Sequence, residues 1–96
     1  MQTTDTLECI DKNAVVNGIR LTYFERGIAY RGVKPTLLFV HATGFHARVW
    51  DKIVNSLGNF HSISVDQRGH GRSEKKKTQH WNELITDTSE MIEQLD

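Results

Sequence analysis

Apolar and polar positions along this chain follow two different periods. Leu37, Leu38, Phe39 and Val40 form an unbroken apolar run, and a strand without polar alternation must be covered on both faces, as in a parallel sheet flanked by helices. The stretch from Thr36 to Val40 is therefore expected to be a central strand. Upstream, Ile19, Leu21 and Tyr23 alternate with Arg20 and Thr22, the pattern of a half-exposed strand near a sheet edge. Asn17 and Gly18 precede it, a pair that accepts the positive φ angles of a type I′ turn. A strand somewhere between Thr6 and Val16 and a second from Ile19 to Glu25 should thus form a tight antiparallel hairpin. Gly27 to Pro35 reads as a loop, with Pro35 at the entry to the apolar strand, where a missing N–H does least harm.

Beyond the apolar strand the period becomes helical. Val49, Ile53 and Leu57, with Trp50 and Val54, recur at helical spacing, and Gly58 and Asn59 end the run. Phe60 to Asp66 reads as a second interior strand. Its Ile63 and Val65 face one way, and Ser62 and Ser64 are small enough for a helix to approach the other face closely. Gln67 to Gln79 is a polar loop, after which Trp81, Leu84, Ile85, Thr88, Ile92 and Leu95 trace a second amphipathic helix with Thr78 as its N-cap. The order β-β-β-α-β-α predicts an α/β fold in which an antiparallel hairpin leads into parallel strands. The strand from Phe60 to Asp66 should lie between those at residues 19–25 and 36–40. Right-handed crossovers should then place one helix on each face.

Composition narrows the reading. Ninety-six residues suffice for one small domain, and the ending at Asp96 suggests a single, incomplete one. Twelve basic and twelve acidic side chains cancel, so nothing in the charge calls for nucleic acid or an anionic membrane as partner. Cys9 is the one cysteine, which excludes an internal disulfide and fits a reducing compartment. Residues 1–5 have neither a basic nor an apolar leader region, and no run reaches membrane-spanning length. A soluble cytoplasmic protein starting at Met1 is expected.

Two loops follow the carboxyl ends of the two interior strands, where an open α/β sheet places its ligand crevice. One reads His41-Ala42-Thr43-Gly44-Phe45, the other Asp66-Gln67-Arg68-Gly69-His70-Gly71-Arg72-Ser73. With these two loops the chain resembles the α/β-hydrolase superfamily, in which a strand ending in His-Gly-x is followed by a helix and then a strand ending in Asp-x-Arg-Gly-x-Gly-x-Ser. The second motif is matched at every fixed position. In the first, Ala42 replaces the usual Gly, a change that narrows the backbone freedom of the loop.

Acyl transfer needs N–H donors preset where a tetrahedral intermediate develops negative charge, and backbone amides at a strand-to-loop turn can supply them. The resemblance assigns this role to the N–H of Thr43, the second donor following the nucleophile. Gly44 would let the chain pass close to substrate and Phe45 would wall the pocket, whereas the plainer reading makes the loop a tight turn only. The resemblance also makes His41 structural, and His70 is read the same way. Asp66, Arg68, Gly69, Gly71 and Ser73 look like a network shaping the second turn, and Lys75 to Lys77 a solvated loop. The five histidines lack metal-ligand spacing, and neither a metal nor a cofactor is assigned.

The nucleophile of the family stands in a G-x-S-x-G elbow after the next strand, and Ser62, Ser64 and Ser73 lack the flanking glycines. No catalytic nucleophile, acid or His is therefore assigned within the chain. The expected function is that of an amino-terminal part of a serine-type hydrolase acting on a small ester, lactone, thioester or related carbonyl substrate. The 96 residues alone should be inactive and self-associate through the unpaired edge at Thr36 to Val40. The alternative is a non-catalytic, hydrolase-like binding module.

Overall fold

The structure is a computed structural model that describes residues 9–95. Its hairpin pairs strand β1 (Ile10–Val16) with strand β2 (Ile19–Arg26) through the turn at Asn17 and Gly18. Both turn residues have positive φ, 51° and 77°, as a type I′ turn requires. Any part of the expected first strand before residue 9 lies outside the described residues. A short 3₁₀ turn (Ile28–Tyr30) leads to strand β3 (Leu37–Val40). A second 3₁₀ turn (Ala47–Trp50) runs into helix α1 (Asp51–Leu57), followed by strand β4 (Ser62–Val65) and helix α2 (Trp81–Leu95).

The four strands lie in the order β1-β2-β4-β3. β4 is antiparallel to β2, with Tyr23 opposite Val65, and parallel to β3, with Leu38 opposite Ile63. This is the expected mixed sheet. On one face Val16, Ile19, Leu21, Tyr23, Ile63 and Val65 pack with Met91 of α2, and each fully buried aliphatic side chain contributes roughly 2 kcal/mol. The other face belongs to α1 and the turn before it. Phe39 meets Trp50 at 5.3 Å, Arg48 lies over Phe24, and buried Arg26 pairs with Asp51. Ser62 and Ser64 are buried beneath this layer.

Four expectations are corrected. β2 is not a half-exposed edge strand: every residue except Arg20 is buried, because its second face carries Phe24 and the engaged polar groups of Thr22 and Arg26. β3 stands at the end of the described sheet, as the expected strand order puts it, but is not covered on both faces. It is only partly buried, with Val40 38% exposed. The stripe of Val49, Ile53 and Leu57 faces outward, while Val54 turns inward. Thr78 does not cap α2. The helix begins at Trp81, and the Glu83 carboxylate reaches back to the N–H groups of Gln79 and His80.

Candidate functional site

Because β3 and β4 run parallel, their carboxyl ends open on the same side of the sheet, and the loops that follow them meet there. His41 is buried between them. Its Nδ1–H donates to Ala42 O at 2.8 Å, leaving Nε2 to accept the N–H of Gln67 at 3.0 Å. Burial lowers the pKa of this ring, which fits its accepting, neutral form. His70 reciprocates from the second loop: Nδ1–H donates to Arg68 O at 2.9 Å, and Nε2 accepts the N–H of Gly44 at 3.0 Å.

The Asp66 carboxylate closes the junction, accepting the N–H of Ala47 at 2.7 Å and that of Arg72 at 2.9 Å. Gly71 sits against it with φ +51°, and a Cβ there would collide with the carboxylate. Ser73 accepts the N–H of Thr22 at 2.8 Å and donates to Asp66 O. The chain then runs along the edge of β2, with Glu74 N–H on Arg20 O at 2.9 Å. Gly69 N–H donates to Glu74 O at 2.8 Å. These contacts join the motif residues Asp66, Gly69, Gly71 and Ser73 in one turn.

Arg68 points the other way, into α2. Its buried guanidinium grips Asp87 through Nε (2.8 Å) and Nη2 (2.9 Å), with Glu83 at 3.6 Å. The hydrogen bond to Asp87 raises its pKa further. Asn17 Nδ2 donates to the same carboxylate at 3.0 Å, tying in the hairpin turn. Neither Asp87 nor Gln67 was singled out from sequence. The signal was there: Leu84, Asp87 and Met91 share one helical stripe, and an acid on an inward stripe demands a cationic partner.

In the first loop the N–H groups of Gly44 and Phe45 are engaged, by His70 and by Ala42 O. That of exposed Thr43 has no acceptor among the described residues. Thr43 faces a cavity of about 540 Å³ whose lining includes Arg68, His70, Lys77, Trp81 and Leu84. Phe45 was expected as a wall, but it is 56% exposed and not part of the lining. Ala42 has no positive φ, so replacing the family's usual Gly carries no backbone strain.

A second polar cluster lies around the start of β3. Buried Glu25 binds Lys12 at 2.7 Å and His61 Nε2 at 2.6 Å, and His61 Nδ1 meets Thr36 Oγ1 at 2.7 Å. Burial acts to raise the Glu25 pKa, but the hydrogen bonds from Lys12 and His61 prevail and hold it low. Among the described residues no group of three His, Cys, Asp or Glu side chains is placed to hold a metal, and no helix is long and apolar enough to cross a membrane.

A sheet of this order, with a helix on each face and two loops meeting at the strands' carboxyl ends, is the amino-terminal part of an α/β-hydrolase fold. The family model described as serine aminopeptidase, S33, matches residues 31–96, and the chain belongs to this family of α/β hydrolases. Among solved structures, it is similar to an epoxide hydrolase of Vigna radiata, VrEH1, at 24% identity and TM-score 0.80 over 92% of this chain and 29% of that one. The epoxide hydrolase CorEH is 28% identical, with TM-score 0.79 over 92% and 30%. The haloalkane dehalogenase DatA of Agrobacterium tumefaciens C58 is 19% identical, with TM-score 0.79 over 92% and 29%. The chain thus spans about three tenths of the length of these proteins. No curated protein sequence matches it.

Proposed function

We propose that residues 1–96 form the amino-terminal part of a single α/β-hydrolase domain that cleaves a small ester, lactone, thioester or related carbonyl substrate, with Thr43 N–H as one oxyanion donor. The observation that carries this is the unengaged N–H of Thr43 at the cavity, between neighbours whose own backbone groups are tied down. A donor fixed before reaction stabilises the developing oxyanion without reorganisation. His41 and His70 are spent on backbone groups, so neither is free to serve as a general base. The nucleophile, the acid and the catalytic His are supplied by polypeptide outside residues 1–96. A cavity of about 540 Å³ suits a small molecule, and the balanced charge offers nothing to nucleic acid. The lone Cys9 supports a cytoplasmic setting.

The likeness to CorEH favours one second reading, an epoxide substrate. A carboxylate nucleophile opening an epoxide leaves an ester on the protein, and water attack on that ester again passes through an oxyanion. The Thr43 donor would serve both. Steady-state hydrolysis of an ester panel and of styrene oxide, by the polypeptide that includes the nucleophile, separates them. Ester turnover without epoxide opening supports the first reading. The reverse supports the second, and neither activity would remove both.

A further inference from the structure

We infer that the substrate carries, besides its reacting carbonyl, an anionic group, carboxylate or phosphate, and an apolar segment, and that Lys77 and Trp81 recognise these two parts. This inference deepens the proposed function and rests on its placing the reaction at Thr43. Thr43, Lys77, Trp81 and Leu84 line the same cavity, and no Asp or Glu is among its lining residues.

The charges around the cavity do not cancel equally. Arg68 is neutralised by Asp87 and Glu83 behind the cavity wall. His70 holds its loop through both ring nitrogens. Lys77, in contrast, has no carboxylate partner among the described residues, and it is exposed. The nearby Glu83 is engaged by Arg68 and by the N–H groups of Gln79 and His80, so the free ammonium is left to attract an anion, and the cavity walls focus its field.

The apolar part is equally placed. Trp81 leaves 75% of its surface exposed at the start of α2, one helical turn before Leu84. An unburied indole is a binding platform for an acyl chain or a flat ring. With Thr43 marking the reacting carbonyl, one cavity brings together a backbone donor, an exposed indole and an unpaired ammonium.

Monomethyl glutarate and its uncharged counterpart methyl hexanoate, with a phosphate-terminated methyl ester as a third arm, test this by binding and by turnover. Binding is read from Trp fluorescence in the wild type, Lys77→Gln and Trp81→Phe. The wild type should bind the anionic esters about two- to fivefold more tightly than the neutral one, the size expected of one solvated charge contact. K77Q should erase that difference while leaving the weaker binding of methyl hexanoate unchanged, and added salt should do the same. W81F should lose the fluorescence response. The relative strength of the glutarate and phosphate arms identifies the anionic group. Equal binding of charged and neutral esters, or a preference that survives in K77Q, overturns the inference. Turnover is scored separately: anion-selective binding without hydrolysis of any ester counts against the proposed function and leaves the recognition intact.

Discussion

His41 and His70 each accept a backbone N–H from the other's loop, Gln67 N–H on one ring and Gly44 N–H on the other, both at 3.0 Å, with the rings 5.0 Å apart. Both accepting nitrogens must be unprotonated for this arrangement. The His41 pKa is pushed below the ordinary value of about 6.5 by burial. Between its folded value and about 6.5 the unfolded chain binds a proton that the folded chain does not, so stability rises with pH across that window. The stabilisation should be complete above about pH 6.5 and lost as pH falls through the lower, folded value. Thermal unfolding between pH 8 and pH 5 should show a steeper acid-side drop in the wild type than in His41→Gln. Equal slopes would show that this ring does not titrate with folding.

Thr43 offers a backbone group, so its side chain should be dispensable. In the polypeptide that includes the nucleophile, Thr43→Ala should leave kcat within about twofold, whereas Thr43→Pro, which removes the donor, should lower it about 10²- to 10³-fold. Circular dichroism of both variants controls for folding. Two equally harmless substitutions would exclude the oxyanion role.

The Arg68–Asp87 pair is buried and bidentate. Asp87→Ala leaves the buried guanidinium with the more distant Glu83 carboxylate at 3.6 Å, and the cost should be about 3 kcal/mol in urea unfolding. Replacing both residues, Arg68→Met with Asp87→Leu, should recover much of that loss, because no charge is then stranded. A double variant as unstable as the single one would mean that the pair does more than neutralise itself.

The expected self-association and inertness of the 96 residues call for the isolated polypeptide. β3 ends the described sheet, and Ile85 and Ile92 expose 62% and 52% of their surfaces on α2. Such an edge and patch pair readily with another copy. Sedimentation velocity should show concentration-dependent oligomers, and ester turnover should match the blank. A monomer with a cooperative thermal transition would contradict the first expectation, and turnover abolished by one Ser substitution would contradict the second.

The Asn17-Gly18 turn made the hairpin legible, whereas the apolar pattern misjudged how far β2 and β3 are covered in the sheet, because a strand's own residues do not name its non-local neighbours. Burial was less legible. Thr22 and Arg26 look solvent-facing by period alone, yet each side chain is engaged by a partner far along the chain, the Thr22 hydroxyl by Arg72 O at 50 residues and Arg26 by Asp51 at 25. The site loops could be located because their glycines and acids have fixed spacing. Their mutual stitching could not, because a His-to-amide bond across 26 residues leaves no local periodicity.

The hydrogen bond from Asn17 to Asp87 has a consequence for how the chain is made. Seventy residues separate the two groups, and at a synthesis rate of about 5–20 residues per second the helix partner follows the hairpin turn by roughly 4–14 seconds. A hairpin forms within about 1–10 microseconds. Val16, Ile19 and Leu21 therefore wait on the ribosome, their apolar face uncovered, for about a millionfold longer than the hairpin needs to form. In that interval the uncovered face is open to other chains, and slowing translation between residues 26 and 87 would lengthen it.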